Sequence, residues 1–289
     1  MRSRGSRSPA DTIGCIPPRP GSSPTPDHRA ATIWVNGTLY DRDSLPDELA
    51  ILFGTSLGLS PTCHLREGLL LRQHLDVLGR AAESLGYSGF TTDSAADAVT
   101  TVDTADSVVA LVPTRADHRA IAPGTHWMLV TAPFTAPDAS APLRLGHSRH
   151  RRNQRNPTIN ALVLGDGELA AGSREATTAG LDEVVWLNLD DHVSCIGTGA
   201  LFAELDGSVV TPPLTDGVPD SAWRAECFHG TDAQEQHLGV DDLLAADSVA
   251  CVWPWGTAQA VAAIDRHEYS AGALATRLTT VIATAGSPS

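Results

Sequence analysis

The sequence predicts a two-domain protein that mixes helices and strands, and three observations predict it. The chain has 289 residues, enough for two modest cores. Helical periodicity, as in Gln73 to Gly86 and Ala271 to Ala283, is interspersed with short strand-like runs rather than segregated from them. A Pro- and Ala-rich stretch, Thr135 to Pro142, reads as a linker between the two halves. The predicted organisation is a disordered tail over 1–30, a small domain over 31–134, the linker over 135–142 and a large domain over 143–285.

Each element has its own reason. Met1 to Arg29 is Arg, Ser, Pro and Gly with few apolar residues, a composition that cannot bury a core. Thr32 to Tyr40 reads as strand, Asn-Gly turn, strand. Val108 to Val112 and His126 to Ala132 are the closing strands of the small domain. The stretch from Ser173 to Arg224 has the most regular punctuation. A helical piece, Arg174 to Ala179, ends at Gly180, a usual helix stop. Val184 to Leu189 is an apolar buried strand, Asp190-Asp191 a turn, and Val193 to Ile196 and Leu201 to Leu205 two short strands. Asp206-Gly207 makes a hairpin turn into Val209 to Thr211, Pro212-Pro213 stops that strand, and Gly217 to Arg224 leads into a helix.

Composition excludes several functions. A formal charge of −14 argues against a nucleic-acid or membrane-surface binder. The five cysteines are scattered without CxxC spacing, as in a reducing cytosol, so a cytoplasmic protein is expected. No run approaches the ~18 apolar residues of a membrane span, and no apolar segment follows the N-terminal arginines as in a secretory signal. All 20 basic residues are arginine. No side chain of this sequence can therefore form a lysine Schiff base.

The order Arg174-Glu175-Ala176, Gly180, Asp182-Glu183, Asn188, Phe202, Thr211-Pro212-Pro213-Leu214, Gly217 and Arg224 resembles the large domain of the fold-type IV pyridoxal-phosphate enzymes. These are the class IV aminotransferases, including the branched-chain and D-amino-acid enzymes, and aminodeoxychorismate lyase. Phe53-Gly54, His74, Leu75, Leu78 and Gly86 resemble its small domain, and Ser248 to Ile264 a later strand and turn; the resemblance covers about residues 32 to 283. It implies an α+β fold, a small α/β domain beside a larger barrel-like β domain, with a pocket between them, in a homodimer whose pockets borrow a loop from the partner.

The family's chemistry does not carry over residue by residue. The cofactor lysine falls on Leu162, the carboxylate that pairs with the pyridine nitrogen on Cys195, its neighbouring asparagine on Ala200, and the phosphate-binding arginine on Val77. Arg80, a turn later, is expected to point to another part of its helix. The phosphate-binding helix start reads Ser221-Ala222-Trp223-Arg224 after Asp220, a carboxylate expected to repel phosphate, and the second phosphate region reads Trp253 to Thr257, filled by rings. The expectation is a site that takes no cofactor.

What replaces it is read from the residues. Leu145 to Asn156 gathers His147, Arg149, His150, Arg151, Arg152 and Arg155 in an acidic protein. Arginines there would clamp a carboxylate and a histidine would move protons near neutral pH; the plainer reading is a solvated loop paired to an acidic surface. Cys195 is a candidate nucleophile or a packing residue. Asp220 and Ser221 are a helix cap or pocket groups. Thr55, Ser56 and His64 line the family's pocket or merely alternate along a strand, and Arg224, Trp253, Trp255 and Thr257 are further binding candidates. His147-x-x-His150 with His192-x-x-Cys195 invites a metal, but the spacing matches no standard site and none is expected. Three readings result. The first is an enzyme of specialised metabolism acting without pyridoxal phosphate on a small anionic substrate by elimination, isomerisation, cyclisation or hydrolysis. The second is a catalytically inactive partner subunit or ligand sensor, and the third an aminotransferase or lyase by fold analogy alone.

Overall fold

The computed structural model describes residues 32–35, 38–41, 62–64, 70–84, 91–100, 107–115, 125–133, 137–161, 167–270 and 272–286. The N-terminal tail, the Asn36-Gly37 turn, Phe53-Gly54, Thr55, Ser56, Gly86 and Leu162 lie outside the described residues, as does the side chain of His64.

The first sheet has five strands: β1 (Thr32–Val35), β2 (Thr38–Asp41), β3 (Thr62–His64), β4 (Ser107–Arg115) and β5 (Thr125–Pro133), in the order β2-β1-β5-β4-β3. Every neighbouring pair is antiparallel. Two helices, α1 (Leu71–Ser84) and α2 (Thr92–Thr100), lie between β3 and β4 in the chain. In α1 the buried residues His74, Leu75, Leu78 and Ala82 fall on one stripe at helical spacing.

The second sheet is built from β6 (Leu143–Arg152), β7 (Glu183–Asn188), β8 (Val193–Ile196), β9 (Ala200–Leu205), β10 (Ser208–Thr211), β11 (Gln234–Glu235), β12 (Ser248–Trp253), β13 (Thr257–Ile264) and β14 (His267–Glu268). Its order is β11-β10-β9-β12-β13-β6-β7-β8, with β14 on β13. The pairs β10/β11, β13/β6 and β6/β7 are parallel and the others antiparallel. This is the curled, half-barrel sheet of an α+β fold.

A parallel neighbour needs a crossover, and α3 (Gly167–Ala179) supplies it between β6 and β7. It packs tightly because Gly172 has no Cβ; one there would collide with the Trp186 ring and come within 2.9 Å of Val184 Cγ2. The helix begins well before the Arg174 expected from the sequence and ends, as the sequence indicates, at Gly180 with φ +71°. The Asp206-Gly207 turn has φ of +50° and +77°, the two left-handed residues of a tight hairpin.

Both faces of this sheet are covered, which is why its strands read as continuous apolar runs. Strand alternation sends Leu201 and Ala203 into one core with Leu145, Val185, Leu187 and Ile196. Ala200 and Phe202 go into the other. That second core is closed by α4 (Ala222–Gly230) and α6 (Ala273–Ala285), through Trp223, Cys227, Leu274, Leu278 and Ile282. A short helix, α5 (Val240–Ala245), adds Leu243 to the first core.

Candidate functional site

The start of α4 is where the two sheets' helices meet. Ser221 is its N-cap, extended at φ −151°, and its Oγ accepts from Arg224 N at 3.1 Å. The preceding residue, Asp220, is held by Arg80 of α1, whose Nη2 and Nε donate to Asp220 Oδ2 at 2.8 and 3.2 Å. Two expectations are corrected here. The long Arg80 side chain does reach the α4 start, although its Cα sits a turn beyond Val77. The Asp220 charge, expected to stand alone against an anion, is matched by that guanidinium.

Across from Ser221 lies the turn between β12 and β13. Gly256 takes φ +79°, and a Cβ there would sit 2.6 Å from the Trp223 ring. Trp223 is buried and meets His74 of α1 edge-on at 6.2 Å. The rings expected to fill this space, Trp253 and Trp255, instead stack on each other at 4.9 Å and 6°. Trp223 is the ring that covers Gly256. Two buried donors beside it, Trp223 Nε1 and Thr257 Oγ1, find no hydrogen-bond partner among the described residues. Arg224 turns away: its Nη2 donates to Pro212 O at 2.9 Å and to Glu235 Oε1 at 2.8 Å.

The basic run expected near the pocket is a strand, β6, and strand geometry scatters it. Arg149 pairs with Glu175 of α3 at 3.2 Å, Arg151 pairs with Asp191 at 3.0 Å, and His150 and Arg155 are exposed. Only Arg152 of this run turns inward, at 1 % exposure; its Nη1 lies 3.8 Å from Cys195 Sγ and its Nη2 donates to Ile159 O at 3.2 Å. His147 Nδ1 lies 2.6 Å from Asp265 Oδ2, and its Nε2 is buried without a hydrogen-bond partner among the described residues. Five residues of strand separate His147 from Arg152, roughly 16 Å of rise. The two do not act on one small molecule together.

Cys195 is a buried thiol in no disulfide, packed with Ala176, Val184 and Trp186, and its Sγ donates to Gly197 O at 3.3 Å. Two other thiols are made inert by their surroundings. Burial pushes Cys251 well above its ordinary value and Cys227 up to about 12. His192 faces neither His147 nor the Cys195 thiol. It turns to Asp216 and His237, two residues the sequence reading did not single out. The available signal was Asp216 itself, a carboxylate between the Pro212-Pro213 strand stop and Gly217. Among the described residues no helix is long and apolar enough to cross a membrane.

The profile described as Amino-transferase class IV matches residues 64–262. Among solved structures, the branched-chain aminotransferase of Thermoproteus uzoniensis with norvaline superposes with a TM-score of 0.76 at 19% identity, covering 87% of this chain and 93% of that one. A protein described as a 4-amino-4-deoxychorismate lyase from Legionella pneumophila gives 0.65 at 19% identity, over 75% and 85%. The branched-chain aminotransferase of Thermobaculum terrenum in its PLP form gives 0.72 at 17% identity, over 88% and 92%. No curated protein matches the chain by sequence.

The expectation of a site that takes no cofactor is overturned by these matches. The family and the PLP-form neighbour make pyridoxal phosphate the cofactor that goes with this fold. The covalent tether is what this chain's own residues do not fit. A Schiff base to the cofactor needs a lysine amine, and the sequence has none. The turn at Gly256 is already covered by Trp223.

Proposed function

The chain belongs to the amino-transferase class IV family, and on that premise we propose that it is a binding member that does not itself transfer an amino group. In this reading the scaffold holds a small carboxylate-bearing molecule, and Arg152 is the residue that recognises it. One observation carries the reading: Arg152 is a buried guanidinium beside Cys195, the position where the resemblance places the cofactor's carboxylate partner. Its Nη2 is held by Ile159 O, and the planar fork of a guanidinium suits a carboxylate. The archaeal relative was solved with norvaline, an amino acid of the size this proposal requires. The absence of any lysine argues on the same side, since amino transfer by the family's route uses that amine.

The test is a calorimetric titration of norvaline and of its 2-oxo acid into the purified chain, with an amino-transfer assay alongside in the presence of pyridoxal phosphate. Saturable binding, weakened at least tenfold in Arg152→Lys, with no transfer, is the expected result. Transfer at a measurable rate, or binding indifferent to Arg152→Lys in a variant that melts cooperatively, overturns the reading.

A second reading, acid–base turnover at His147, is favoured by one geometry. Asp265 binds Nδ1 and leaves Nε2 as the reactive nitrogen. On this reading His147→Gln abolishes whatever turnover the wild-type chain shows. Unchanged turnover removes it.

A further inference from the structure

Asp216 is a carboxylate with a side chain only 4 % exposed, and two histidines close on it from different parts of the chain. His192 stands directly before β8, after the Leu189-to-Asp191 turn; its Nδ1 lies 3.4 Å from Asp216 Oδ1. His237 stands between β11 and α5; its Nδ1 lies 2.8 Å from Asp216 Oδ2. The two rings face each other at 4.8 Å and 33°. Asp216 closes a single 3₁₀ turn, Leu214–Asp216, ended by Gly217 in the left-handed region at φ +85°.

The backbone fixes this meeting. Val193 N donates to Leu238 O at 2.7 Å, which sets the residues next to the two histidines side by side. Asn188 ties the rest together. Its Oδ1 accepts from His192 N at 2.9 Å and Asp190 N at 3.0 Å, while its Nδ2 donates to Asp216 Oδ1 at 3.2 Å. A side chain that orients a carboxylate from behind is the usual support of a metal ligand.

From this arrangement we infer that His192, Asp216 and His237 form a binding site for a divalent transition-metal cation of the zinc type. Two imidazole nitrogens and one carboxylate oxygen are the donor set that such ions take. The geometry is close to that required. Metal bonds of about 2.1 Å in a tetrahedron place neighbouring ligand atoms about 3.4 Å apart. Here the three ligand atoms all lie within 4.8 Å of one another. Closing on an ion takes about an ångström of movement, which the 59 % exposed His237 side chain is free to make. The same exposure leaves the fourth coordination position to water or a ligand. The site is independent of the carboxylate-binding reading above, because neither Arg152 nor the start of α4 belongs to it.

The experiment is equilibrium dialysis of the full chain against Zn²⁺ buffered by a competing chelator, with Co²⁺ spectra as a second readout. One equivalent of zinc and the intense visible bands of tetrahedral cobalt(II) are expected. His237→Ala and Asp216→Asn should each weaken zinc at least tenfold and remove the cobalt bands. His229→Ala, an exposed histidine on α4, should change neither. His237 is exposed enough for its variant to fold, so the test does not depend on Asp216→Asn. The proposal is overturned if no zinc is retained against the chelator, or if the equivalent survives His237→Ala unchanged.

Discussion

The start of α4 and the Asp216 cluster lie 5 residues apart in sequence (216 and 221) and have taken opposite courses. At the α4 start the Gly256 turn is covered by apolar bulk. Trp223 lies on Gly256, and two buried donors find no partner among the described residues. At Asp216, polar groups are gathered and each carboxylate oxygen has a nitrogen facing it. Filling a site with a ring gains burial and gives up recognition, whereas gathering donors costs desolvation and creates a place for a cation. A scaffold can thus lose chemistry at one turn and assemble it at the next without changing its strand order.

The comparison can be broken in several places. Alkali should act first on the filled region, because Cys227 sits in the same core as Trp223. A thiol whose pKa is raised from 9.0 to about 12 in the fold stabilises the protein below pH 9 and loses that contribution as pH rises to 12. Tyr269, raised from 10.0 to about 12 by burial, acts in the same direction but, being only half-buried, is screened and adds only a small part. A loss on the order of several kcal/mol between pH 9 and 12 is expected in urea titrations; a flat profile there removes the claim that this core excludes charge. Next in size, Trp223→Ala should cost about 4 kcal/mol by opening a cavity against Gly256. A cost under about 1 kcal/mol would mean that the ring only covers the surface.

Gly256→Ala should cost about 3 kcal/mol, combining the left-handed backbone with the clash against Trp223. Asp216→Ala, measured with chelator present, should cost about 2 kcal/mol because Asn188 and two histidines lose their acceptor. If zinc, added without chelator, stabilises the wild type no more than it stabilises His237→Ala, the Asp216 region has gathered no cation site and the contrast with the α4 start fails. Arg80→Ala is the smallest change. Its guanidinium is 58 % exposed, so the ion pair to Asp220 should contribute only about 0.5 kcal/mol to the melting equilibrium.

The large sheet was legible because its signals are local. Val193 to Ile196 is β8 to the residue, the Asp206-Gly207 hairpin lies where the turn residues put it, and Leu201 to Leu205 differs from β9 by one residue. What was not legible depends on partners distant in sequence. The basic run reads as one pocket wall because four arginines and two histidines fall between 147 and 155; the strand sends those on it to Glu175, Asp191, Asp265 and the interior by turns. His192 looked like half of a His-x-x-Cys pair. In the strand that follows, the Cys195 side chain packs under α3 with Trp186, and the imidazole is left to the neighbouring turn.

By itself the sequence settled the kind of fold, the places of its turns and the fact that no amine side chain is present, because glycines, prolines, apolar period and residue identity act within a few positions. Only the tertiary structure decided which ring covers Gly256, which arginine goes inside and which histidines meet one carboxylate. Those outcomes are set by strand pairing and crossovers that bring together residues tens of positions apart, and no local preference encodes such distances.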